Sequence, residues 1–177
     1  MRRVVLLGVA LAAVAAAPAG GAEGASDPKA YVLHAADLPG WVVTKTETTP
    51  ASANGVFASY GLLYQKPGVL NGLSQVDSKA ALCGTASVAQ RALTMVYARP
   101  HGYHRVAAAW RVGDESALLQ QTKSGTTGDR LQVYVVVWRS ASVIGAVFGS
   151  GIAGTFHVGD VLELARRQQA RIAHLPH

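Results

Sequence analysis

The sequence predicts an α+β domain, a curved antiparallel sheet with two main helices packed on one face. Three observations carry that reading. Residues 131–138 and 143–148 are apolar, β-branched runs joined by Arg139-Ser140-Ala141-Ser142, the layout of a hairpin at the centre of a sheet. Other strand-like runs lie on the N-terminal side of this pair. Two stretches instead show helical apolar spacing behind capping residues, one from Ser87 to just before Pro100 and one from Asp160 to Ile172. Strands in runs, with helices between the runs, favour α+β over a strictly alternating α/β order.

In chain order, Asp27-Pro28 offers an N-cap and a favoured first helical residue, so a short helix is expected over 29–36, stopped by Asp37-Leu38-Pro39-Gly40. Trp41 leads into a strand over 42–48, and residues 49–55 form a loop by composition. Residues 56–65 read as a strand despite Ala58 and Gly61. After the turn Lys66-Pro67-Gly68, residues 69–82 read as one irregular strand bent at Asn71-Gly72. Ser87 and Gln90 have capping-box spacing, and Ala89, Leu93 and Val96 form a helical stripe behind them. A connector at 101–104 precedes a strand over 105–112, a polar turn at 113–116, a strand over 117–123 and a hairpin turn at 124–129. Asp160 and Glu163 repeat the capping spacing, and Val161, Leu164, Ala165, Gln168 and Ile172 share one face of the last helix.

The central pair is apolar on both faces. One face of the first run carries Leu131, Val133, Val135 and Val137, and the other carries Gln132, Tyr134, Val136 and Trp138. Something must therefore cover both faces for much of their length. The Tyr134 face meets either a helix or a pocket. The second run ends in Gly149-Ser150-Gly151-Ile152-Ala153-Gly154, which has the G-x-G-x-x-G spacing of a dinucleotide site. The next helical signal begins near Asp160 rather than at the third glycine, so a glycine turn leaving the strand is the preferred reading.

The N-terminus has the layout of a secretory leader: Met1-Arg2-Arg3, an apolar run over 4–17, then small residues with cleavage options near Ala19 and Ala22. The expected organisation is a signal peptide at 1–22 and a single α+β domain at 23–177. Localisation is then secreted or extracytoplasmic, with membrane contact only through an uncleaved leader. Removing 1–22 leaves 14 basic against 10 acidic residues, a formal +4 that is spread along the chain. Nucleic-acid binders cluster such charge on one face, so no nucleic-acid partner is expected. Cys83 is the single cysteine, so the domain stands on its core without an internal disulfide. Burial is the preferred fate of that thiol, and intermolecular pairing the alternative.

No catalytic set, metal site or cofactor is nominated. His101 and His104 are metal-ligand types in a short loop, and Asp114 and Glu115 follow in sequence, but zinc needs about four ligands or three plus water. Asp114 and Ser116 also suit a turn closed by side-chain hydrogen bonds. A metal-dependent or acid–base hydrolase using His101, His104, Asp114 and Glu115 is one alternative, and a cell-envelope interaction protein is another. The preferred reading is an exported ligand-binding or sensor-like module without catalysis. Its partner would be a small apolar ligand or a cell-envelope component, and Trp110, Tyr134 and Trp138 are the expected ligand-binding residues.

Several short motifs carry a resemblance: Ala36-Asp37-Leu38-Pro39-Gly40-Trp41, Val112-Gly113-Asp114-Glu115-Ser116, Val136-Val137-Trp138-Arg139, and the helix at 164–172. Together they resemble a set of exported proteins of high-GC bacteria whose role is uncharacterised. More distantly, the layout is similar to the extracellular sensor domains of mycobacterial membrane serine/threonine kinases. That resemblance implies a ligand-sensing role. Those domains carry disulfides and this chain, with one cysteine, departs from them, so no functional residue carries over.

Overall fold

The computed structural model describes residues 27–50, 56–69, 71–98, 102–107, 110–125 and 128–175; the leader at 1–22, His101, loop residues 51–55 and the terminal Pro176-His177 lie outside them. Seven strands, β1 (Val42–Thr49), β2 (Val56–Gln65), β3 (Leu73–Cys83), β4 (His104–Val106), β5 (Glu115–Ser124), β6 (Arg130–Ser140) and β7 (Val143–Ile152), form one open sheet. Their order is β1-β2-β3-β7-β6-β5-β4, and each neighbouring pair is antiparallel. The hairpin β6–β7 is central, with β7 in the middle of the sheet, as the two β-branched runs imply. Helix α1 (Ala86–Ala98) connects β3 to the far edge strand β4, and α2 (Val158–His174) follows β7. No helix among the described residues is long and apolar enough to cross a membrane.

The α+β class and the antiparallel sheet stand. The helices, however, divide between the two faces instead of sharing one. Along β6, Val136 and Trp138 join the cluster that contains Val161, Leu164, Ala165 and Ile172 of α2. Val137 joins Ala89 and Leu93 of α1, with Ala81, Ile144 and Ala146 from β3 and β7. Successive strand residues point to opposite faces, so α1 and α2 lie on opposite sides. The cause is the β3-to-β4 crossover, which needs a long connection over one face. The return from β7 then lays α2 on the other. Two-sided apolarity in β6 is the sequence signature of this arrangement.

Several local expectations shift. Two short 3-10 turns, Pro28–Tyr31 and Ala35–Asp37, replace the single helix expected over 29–36. They belong to a strap in which Tyr31, Val32 and Leu33 are fully buried on the α2 side. Both main helices begin earlier than expected. Thr85, not Ser87, caps α1 by accepting the Val88 amide at 3.2 Å. His157 precedes α2, and its amide donates to Asp160 Oδ2 at 2.8 Å, so Asp160 is the third helical residue. Gly149 and Gly151 are strand residues of β7 rather than a turn. A side chain at Gly149 would run into Val161, so glycine there lets the first turn of α2 close on the sheet. No glycine of this segment sits at the start of α2, which removes the phosphate-cradling geometry of a dinucleotide site.

On the α1 side of β3, Lys79 Nζ bridges Glu47 (2.7 Å) and Asp77 (3.1 Å), and Lys45 adds a second contact to Glu47. Hydrogen bonds from Lys45 and Lys79 hold the Glu47 carboxyl down at about 2, against its partial burial. Burial pushes Asp77 the other way, opposed by Lys79. Burial also works against the Lys79 ammonium, but Asp77 and Glu47 outweigh it and its pKa is raised. A depressed carboxylate adds stability that is complete above its unfolded pKa and is lost as pH falls through the folded one. Glu47→Gln is therefore expected to lower Tm at neutral pH and to converge with the wild type as pH falls from about 5 towards 2 in low salt. Parallel Tm–pH curves for the two proteins would contradict the role given to Glu47.

Cys83 is free and buried, and burial pushes its thiol up to about 11, so the thiolate needed for disulfide exchange is scarce.

Candidate functional site

Strand β4 pairs with β5 for only three residues, His104–Val106 opposite Gln120–Leu118. β5 continues to Glu115, still paired with β6 on its other side. β4 ends at Val106, and further along the chain the Val112 amide donates to Ser116 Oγ at 3.2 Å. The space left at the edge is a groove of about 440 Å³, open to solvent. Small-molecule sites span roughly 300–1,000 Å³. Its walls are Val106 and Ala107 from the end of β4, Ala117 and Leu118 from β5, and the indole of Trp110; Arg105 and Ser116 add polar groups. Trp110 and Val106 also pack against the α2-side core, so the groove abuts rigid structure. Arg105 lies opposite Leu119, whereas Val106 lies opposite Leu118. The groove thus draws on both faces of the sheet at its edge.

The three expected ligand-binding residues pack into one cluster on the α2 side, but Trp110 alone of them borders the groove. Trp138 is fully buried, and its Nε1 donates to Gln169 Oε1 of α2 at 2.6 Å. Tyr134 stands edge-on to Phe156, with ring centroids 5.5 Å apart. The face of β6 carrying Tyr134, Val136 and Trp138 therefore meets a helix.

The described residues of the hydrolase alternative, His104, Asp114 and Glu115, do not gather. Asp114 Oδ2 accepts from Arg139 Nη1 at 2.8 Å and from the Ala141 amide at 2.9 Å, closing the turn against the β6–β7 hairpin. Glu115 lies opposite Arg139. His104 lies opposite Gln120, five residues along β5 from Glu115, which is about 17 Å at roughly 3.4 Å per residue. Metal–ligand bonds of roughly 2 Å cannot bridge that span. His101 lies outside the described residues, among which no three His, Cys, Asp or Glu side chains gather to hold a metal.

Arg105, Val106, Ala107, Ser116, Ala117 and Leu118 were not expected at a site. A usable signal is Ala107-Ala108-Ala109, poor strand formers inside the run expected to be a strand.

The geometry defines an α+β module with an open seven-stranded antiparallel sheet covered on both faces and a groove at one edge. No protein-family model and no curated protein matches the chain. Among solved structures, the fold is similar to the crystal structure of the extracellular domain of PknH from Mycobacterium tuberculosis. The TM-score is 0.62 at 13% identity, over 83% of this chain and 95% of that chain. At this identity the likeness is one of fold.

Proposed function

We propose that the chain is an exported, extracytoplasmic sensor-like module that binds a small apolar or amphipathic ligand and does no catalysis. The observation that carries this reading is the fold, which matches nearly the whole of an extracellular domain. Three further features support it. The leader-like segment at 1–22 would direct export. The short motifs resemble exported proteins of high-GC bacteria and, more distantly, the sensor domains of mycobacterial membrane kinases. The groove beside Trp110 supplies a concave surface whose lining is polar and apolar in about equal measure, with the Trp110 side chain as its aromatic wall. The envelope-interaction alternative draws less support. The large hydrophobics most exposed among the described residues are Val42 and Val43, at 48% and 46%, too few for a patch of several hundred Å².

The test is to express the chain with its leader in a high-GC bacterium, recover it from the envelope and culture medium, and record native and denaturing masses. The expected result is a chain starting near Glu23 that carries a non-covalent small molecule, with occupancy lost in Trp110→Ala protein of unchanged circular dichroism. Retention in the cytosol, or a bare polypeptide mass after incubation with envelope lipid extract, would overturn the reading.

A further inference from the structure

The two edges of the sheet are unlike. β4 pairs over three residues only, and a very short strand is one way that proteins blunt an edge against stray strands. β1 at the other edge runs eight residues, all exposed except the half-buried Glu47. Among the described residues it pairs with β2 on one side and with no strand on the other. An edge strand presents a row of backbone N–H and C=O groups to any strand laid beside it. Valine and threonine, which make up most of β1, favour such pairing. A bulge interrupts the register with β2 between Val43 and Lys45, and from Lys45 to Thr49 the register is regular.

The charges of this regular stretch are self-complementary. A twofold axis perpendicular to the sheet lays a second β1 antiparallel to the first and keeps like faces together, so paired residues differ in number by an even amount. Centring the pair on Lys45, or on Glu47, sets that charge against its own copy. Centring it on Thr46 sets Lys45 against Glu47 of the partner subunit on both sides of the axis, where Thr46 meets Thr46 of the partner subunit. Opposite charges and paired threonines stabilise antiparallel strands, and like charges directly opposite destabilise them. Lys45 already contacts Glu47 within one chain at 2.5 Å, and Glu47 also takes Lys79. The pairing therefore uses no unpartnered charge; it extends an existing neutral pair into an alternating row.

We propose that two copies of this chain pair antiparallel through β1, about Thr46, and join their sheets edge to edge. The contact centres on Lys45, Thr46 and Glu47 of each copy and ends where the bulge begins, so it belongs with small, reversible interfaces. The groove lies at the opposite edge of the sheet, and both copies keep it open to solvent.

The test is sedimentation velocity of the full domain over a concentration series, with amide shifts recorded in parallel. Monomer is expected to give way to dimer as concentration rises towards about 1 mM, with shifts that grow along Lys45 to Thr49. Salt at about 1 M is expected to weaken the dimer by screening the Lys45–Glu47 pairs. Thr46 is exposed, so Thr46→Lys is expected to fold normally; it sets two ammonium groups against each other on the axis and should weaken the dimer ~5-fold or more. Lys45→Glu and Glu47→Lys should each weaken self-association, and mixing the two should restore it, because the mixed pair again sets opposite charges against each other. Circular dichroism checks that each variant folds. Should Glu47→Lys, which also loses Lys79, fail to fold, Thr46→Lys decides alone. A chain that stays monomeric up to about 1 mM leaves this edge to a strand of some other protein and overturns the proposal. A dimer whose shifts lie away from β1, or one that Thr46→Lys leaves unchanged, overturns it too. Folded charge variants that fail to associate when mixed overturn the register about Thr46.

Discussion

Trp138→Ala is expected to cost about 3–5 kcal/mol of stability, the range for truncating a large buried aromatic. Trp138 is the largest fully buried side chain described, and it lies where the sheet meets α2. Its ring covers Gly145 on β7, where a side chain would collide with the indole, so the two residues are matched in shape. Its Nε1 bond to Gln169, and the bond from Gln169 Nε2 to Ser140 Oγ at 3.1 Å, tie the helix to the end of β6. Urea unfolding, with an unchanged m-value, measures the loss. Trp138→Phe should cost less, because the ring body remains and only the indole N–H bond is lost. Gly145→Ala should be destabilising alone and much less so on top of Trp138→Ala. A cost under about 1 kcal/mol for Trp138→Ala would contradict the packing of α2 on this face.

Gln168→Ala is expected to cost about 2–4 kcal/mol, because it both opens a cavity and strands buried polar groups. Gln168 is fully buried in α2. Its Oε1 accepts from Ser78 Oγ and its Nε2 donates to the Lys79 carbonyl, each at 2.8 Å. Ser78 Oγ in turn accepts the Leu33 amide at 2.9 Å, and Tyr64 donates its hydroxyl to the Leu33 carbonyl at 2.7 Å. One side chain thus joins α2, the central sheet and the N-terminal strap. Hydrogen exchange at the Leu33 amide should rise in Gln168→Ala by more than global destabilisation explains, because Ser78 loses the partner that orients it. Ser78→Ala should show strong coupling to Gln168→Ala in a double-mutant cycle. Additive costs would contradict a shared network.

The sheet was legible because β-branched and aromatic runs fit a pleated surface. The hairpin β6–β7 is central, and β2 has its expected bounds. Two-sided apolarity in β6 announced cover on both faces, but spacing within each helix cannot say which face it takes. That depends on the path of the β3-to-β4 crossover. The capping residues were displaced because Ser87–Gln90 and Asp160–Glu163 have the right spacing, while Gln90 instead accepts from Arg139 Nε and Glu163 pairs with Arg167. Among the aromatics, alternation put Tyr134 and Trp138 on one face of β6, as observed. It carried no information on the depth of that face. The groove was hidden for a related reason. It exists because β4 leaves β5 after three residues, and its walls come from two strands and a connecting segment. Such a space belongs to the pairing of strands rather than to any one stretch of chain.

The most direct measurement of the central claim is amide chemical-shift mapping of the isotopically labelled domain during titration with a lipid extract of a high-GC bacterial envelope. A sensor-like module with an edge groove predicts saturable shifts at Arg105, Val106, Trp110 and Ser116 to Leu118, with the α2 residues Val161 to Ile172 unmoved. Shifts centred on the α2 interface around Tyr134 and Trp138, or no saturable shift at all, would contradict it.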